Sequence, residues 1–131
     1  MANNAIVYYR IFIVMLLGVI GLTSCEERRI EKLKREGVMR KAKIIDCNSR
    51  SKGIGVIVDY TFTVSGKLFK GKQSYYEMES SFCSELFYQE VSIIYVEEEP
   101  EVNRLMISKH DFEKLEYPYP DSLKWTEQYY K

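Results

Sequence analysis

Three kinds of side chain in this 131-residue chain could carry chemistry: three thiols, one imidazole and a cluster of carboxylates. A thiolate is a natural nucleophile for alkylation and for disulfide formation. Cys25 stands alone, directly after Leu22, Thr23 and Ser24 and directly before Glu26. Cys47 and Cys83 would close a loop of about 36 residues if bridged. Such a bridge would stabilise by about 2–4 kcal/mol. The same two residues also fit as separate buried thiols, which pack like small hydrophobes. Their Cα separation decides between the two. The single histidine, His110, adjoins Asp111, but no nucleophile-elbow pattern supplies a serine. An exposed polar residue is the ordinary reading of it. Cys47, Cys83 and His110 lack the spacing of a zinc site. Glu97, Glu98, Glu99 and Glu101 lack the spacing of a calcium loop and read as a solvated connection. Gly53-Ile54-Gly55 lacks a third glycine and leads into a strand, so it is not a phosphate loop. No catalytic residue, metal or cofactor is expected, and the chain is not read as an enzyme.

Cys25 is placed by the segment before it. Arg10 is the only charged residue among the first 24, and every residue from Ile11 to Leu22 is apolar or glycine. A short positive region, about a dozen apolar residues and then small residues is the layout of a secretory signal. A spanning helix wants roughly 20 apolar residues, and Tyr8, Tyr9 and Arg10 interrupt a longer count. Leu22-Thr23-Ser24-Cys25 resembles the lipobox of bacterial lipoproteins: a leucine-like residue, two small residues, then the modified cysteine. That resemblance implies cleavage before Cys25, a thioether-linked diacylglycerol on its sulfur and often a further acyl chain on its amine. Two or more chains hold a protein stably on a membrane, whereas one binds it only marginally. The competing reading is an uncleaved membrane helix ending near an ordinary cysteine.

Without residues 1–24 the remaining 107 carry 18 basic and 19 acidic side chains, interleaved rather than blocked. This is one domain's worth of chain, with a solvated surface and no basic excess to bind nucleic acid. Nine of the eleven tyrosines lie in this part, a bias towards strands and interfaces.

Residues 25–37 read as a charged, partly helical tether. Only Ile30 and Leu33 are apolar, too narrow a stripe to bury a helix well. Residues 38–108 form the expected β domain. Val38–Asp46 reads as a first strand. Val56, Val58, Tyr60, Phe62 and Val64 alternate with Asp59, Thr61 and Thr63, the pattern of a half-buried strand. Ser65-Gly66-Lys67 turns the chain back into a strand over Leu68–Tyr76. Gly71 interrupts that strand and marks a bulge or a close approach of another backbone. Glu79–Glu90 reads as a short helix or an irregular crossover, Val91–Val96 as an apolar strand, Glu97–Glu101 as a loop, and Val102 or Arg104 to Ile107 as a last strand.

The hairpin from Tyr60 to Gly71, the strand Val91–Tyr95, the acidic loop ending at Pro100 and Asn103-Arg104-Leu105 together resemble a family of small β domains found in bacterial membrane proteins. The family has no agreed catalytic residues. The resemblance implies a mainly β fold, a small antiparallel sandwich or barrel with a short helix. It departs from the family where three glutamates precede Pro100, and where residues 109–131 are added.

In that extension Ser108 is placed to cap a helical turn through Asp111, Phe112 and Leu115. Tyr117-Pro118-Tyr119-Pro120 must be extended. Asp121 is expected to cap a final short helix carrying Leu123, Trp125, Tyr129 and Tyr130. Those aromatics either pack back on the sheet or dock a partner. The expectation from sequence is thus a membrane-anchored protein of the bacterial cell envelope, on the inner or outer membrane. It would be held through a lipid anchor and would serve as a non-catalytic structural or protein-binding module.

Overall fold

A computed structural model describes residues 25–50 and 55–130. The leader at residues 1–24, with Leu22, Thr23 and Ser24, lies outside the described residues, as does Gly53. The chain runs from a helix, α1 (residues 25–36), into β1 (Gly37–Ser49), β2 (Val56–Val64), β3 (Lys67–Tyr75), α2 (Phe82–Leu86), β4 (Val91–Val96), β5 (Glu99–Met106), α3 (Lys109–Lys114) and a 3-10 helix (Asp121–Tyr129). The five strands are antiparallel, in the order β3-β2-β1-β4-β5, and curl into a nearly closed barrel-like sheet.

β1 makes the curl. Its first part, Gly37–Ala42, pairs with β4, and its second part, Lys43–Ser49, pairs with β2. The register slips between Ile44 and Asp46, a bulge of the kind that bends strands at sheet corners. β2 follows the expected alternation in part: Val56, Val58, Tyr60 and Phe62 are buried and Thr63 is exposed, but Thr61 on the other face is buried too and Val64 only partly so. Ser65 and Gly66, at φ 51° and 79°, form the two-residue turn into β3. Both are positive, the geometry that matches the twist of a hairpin.

The core has two layers. Val58, Tyr60, Phe62, Ile93, Tyr95 and Leu105 fill the barrel, and Phe82 and Leu86 of α2 join them. The opposite face of β4 and β5, carrying Ile94, Val96 and Met106, packs under α1, α3 and the extension. β4 is buried on both faces, which is why its sequence is continuously apolar rather than alternating.

α1 differs from the tether expected of it. Leu33 is fully buried and Ile30 nearly so, against Phe112, Leu115 and Leu123. Two apolar residues suffice because they enter a groove that other elements have already built. Arg29 also donates to the Asn103 carbonyl at 2.7 Å, and Lys32 pairs with Glu99. Gly37 joins α1 to β1 where any side chain would overlap the Leu33 carbonyl and the Ile94 side chain.

Four other places depart from expectation. β1 runs through Ser49, and β5 begins at Glu99, so the acidic loop shrinks to a turn at Glu97 and Glu98. Pro100 is tolerated there because β5 ends the hydrogen-bonded order. Asp121 is the first residue of the 3-10 helix and pairs with Lys124 at 2.7 Å; it makes no cap hydrogen bond. Gly71 faces the Tyr60 ring, a side chain rather than a second backbone. The extension packs back onto the body: Trp125 stacks on Phe82 with centroids 5.5 Å apart, and Tyr130 bridges to Met78.

Candidate functional site

Three places hold side chains with a chemical or recognition capacity. The first is the seam where β3 and β5 approach. Tyr60 crosses the barrel and donates to the side-chain oxygen of Asn103, whose amide group donates to the Pro100 and Glu101 carbonyls. Beside it Asp111 is 1% exposed. Its carboxylate accepts from the Tyr75 hydroxyl at 2.8 Å, from Arg104 at 2.9 Å and from the backbone N–H groups of Ile107 and Ser108. Ser108 completes a capping box by accepting from the Asp111 N–H. A cleft of about 340 Å³ opens over this network, with Gln73, Tyr76, Glu77, His110 and Tyr130 at its walls.

The seam is built for fixity. Burial, with the Asp111 charge second, pushes the Tyr75 phenol well above the usual tyrosine range. Burial raises the Tyr60 phenol to about 12. Both therefore stay protonated near neutrality and serve as donors. The Asp111 oxygens are engaged by four donors, and His110 beside it is exposed. Ser108 is engaged as a helix cap. Arg104 Nε is enclosed and has no hydrogen-bond partner among the described residues.

The second place is the cysteines. Cys47 on β1 and Cys83 on α2 are joined by a disulfide, with Cα atoms 5.4 Å apart. The bond ties the crossover helix to the sheet. Cys25 is exposed and unbonded at the start of the described part of α1. Among the described residues no helix is long and apolar enough to cross a membrane, and no His, Cys, Asp or Glu cluster is arranged to hold a metal.

The third place is the gap that opens where β1 leaves β2. The last pair between them is Lys43 with Thr61, and beyond it β1 turns to β4. A groove of about 500 Å³ follows, lined by Arg40, Lys41, Lys43, Thr61, Thr63 and Leu68 among others. Arg40 reaches across to the Thr63 carbonyl. Lys43, Thr61 and Lys70 lie in one cross-strand row on the outer face of β1, β2 and β3.

The Ser108-to-Asp111 spacing made the helix cap legible in the sequence. Nothing there placed Tyr75 or Arg104 against Asp111, and the lysine row appears only once the register is known. No protein family, curated protein or solved structure matches this chain, so the two resemblances rest on the residues quoted for them.

Proposed function

We propose that the chain is an exported envelope protein, held to a membrane by acylation of Cys25 and working as a non-catalytic interaction module. The observation that carries this reading is Leu22-Thr23-Ser24-Cys25 at the junction of an apolar run and a charged helix. Two features of the fold support it. Cys25 is exposed and unbonded, as an acylated residue must be. Cys47 and Cys83 are bridged, and such bonds persist in oxidising compartments outside the cytosol. Tyr60, Asn103, Tyr75 and Asp111 of the seam are engaged in holding the barrel shut, which supports a structural role for them rather than a reactive one.

A second reading keeps residues 1–24 as an uncleaved helix spanning the inner membrane. Residue 25 is already helical, which a continuous membrane helix would also give. Metabolic labelling with an alkyne fatty acid separates the two. The first reading expects label on the wild type and none on Cys25→Ala. Equal absence of label from both would leave the uncleaved helix.

A further inference from the structure

We infer that the cleft over the seam binds a small neutral molecule that carries an amide and has the size of a capped amino acid. The inference goes beyond the anchor and stands whether or not Cys25 is acylated. Two enclosed donors carry it. Asp111 accepts from Arg104 Nη2 at 2.9 Å, but Arg104 Nε has no partner among the described residues, on a side chain only 11% exposed. The Tyr130 hydroxyl, with Ser108 for a neighbour, is enclosed and makes no hydrogen bond among the described residues either. Burial raises this phenol above the usual tyrosine range, so it keeps its proton to donate. Both residues line the same cleft, whereas Trp125 Nε1, which shares their condition, lies outside it. A buried donor without an acceptor weakens a fold, so two in one cleft mark the place of an acceptor oxygen.

Charge selects a neutral occupant. Arg104 and Asp111 are paired, and Glu77 leaves the wall negative. A carboxylate or phosphate would meet two carboxylates and a single cation that is already committed. A cation would leave both donors unanswered. His110 is exposed at the rim, where solvent screens it. A neutral carbonyl oxygen answers both donors, and the N–H of an amide can donate outward to Glu77 or to the side-chain oxygen of Gln73.

Size and apolar surface narrow the class further. At about 340 Å³ the cleft stands at the lower end of the volumes of small-molecule sites. Tyr75, Tyr76 and Tyr130 supply aromatic wall, which suits methyl groups on either side of the amide. Tyr130 sits just past the 3-10 helix, so a small outward swing of its side chain opens the way to both donors.

The test uses the full chain, isotope-labelled and extracted in detergent, with the Arg104 Nε–H resonance as the reporter. The probe is N-acetylalanine amide, and acetate and ethylamine are its charged counterparts. The amide should shift the Arg104 resonance saturably, and neither counterpart should. Tyr130→Phe should weaken the amide about three- to tenfold, the loss expected for one hydrogen bond. Lys109→Ala, on α3 and outside the cleft, should leave it within about twofold. The Arg104 shift is read in the wild type, so the test does not depend on how the variants fold. Absence of a saturable shift at Arg104, or an equal shift with acetate or ethylamine, would overturn the proposal. Affinity unchanged by Tyr130→Phe would overturn it too. An exchange signal between Arg104 Nε–H and water that the amide leaves unaltered would mean that the cleft holds water only, and would also overturn it. Fatty-acid labelling of Cys25 is read separately, so failure of the cleft and failure of the anchor are distinguishable.

Discussion

Tyr60 is the direct cross-strand partner of Gly71, and its ring lies where a side chain on that glycine would begin. From there its hydroxyl reaches Asn103 on β5, across the seam from β3. The missing Cβ on β3 lets one tyrosine of β2 connect three strands.

Gly71→Ala should therefore destabilise the fold, although alanine suits a strand better than glycine does. Displacing the Tyr60 ring is an overpacking change, costing about 1–3 kcal/mol. Urea denaturation checks it. A midpoint equal to or above wild type would show that the ring moves freely.

Asp111→Asn should cost about 3–5 kcal/mol, because it leaves the Arg104 guanidinium enclosed without its counter-charge. Removing both charges, with Arg104→Met and Asp111→Asn together, should cost less than the sum of the single changes. A double-mutant cycle measured by denaturation gives the coupling. Additive losses would mean that the pair does not interact.

Alkaline pH should unfold the protein earlier than its net charge suggests. Tyr60 and Tyr75 both hold their protons more tightly in the fold than in the unfolded chain, where tyrosine ionises near pH 10. Their contribution is complete below about pH 10 and is lost as pH rises towards the folded values. The expected fall is up to about 1.4 kcal/mol per pH unit for each residue. Tyr60→Phe should flatten this limb while lowering stability near pH 7. Denaturation curves between pH 8 and 11.5 test both statements.

Leu33→Ala should release α1 from the body, at a cost of about 2–5 kcal/mol. Hydrogen exchange should then speed up through residues 25–36 while β2 keeps its protection. Unchanged exchange in α1 would mean that Arg29 and Lys32 hold the helix without Leu33.

How much of this was legible in the sequence follows from how local each signal is. β2 and its hairpin were legible because alternation and a Ser-Gly turn are written within adjacent residues. β4 was legible as a strand, but its two buried faces became clear only with α1 and α3 in place. The start of β5 was hidden because Glu97 to Glu101 and Pro100 read as loop, whereas the end of a hydrogen-bonded order accepts both. The docking of α1 was hidden because Ile30 and Leu33 bury themselves in a groove assembled by residues 60 or more positions away. The Tyr75–Asp111 bond, between residues 36 apart in the chain, left no pattern at all.

The lipid anchor is tested most directly by the intact mass of the membrane-extracted protein, wild type beside Cys25→Ala. The expected wild-type mass is short by residues 1–24 and heavier by a lipid group on Cys25, with the lipid absent from the variant. A full-length, unmodified chain in both samples would contradict the anchor, and Cys25 would be an ordinary surface thiol beside a membrane helix.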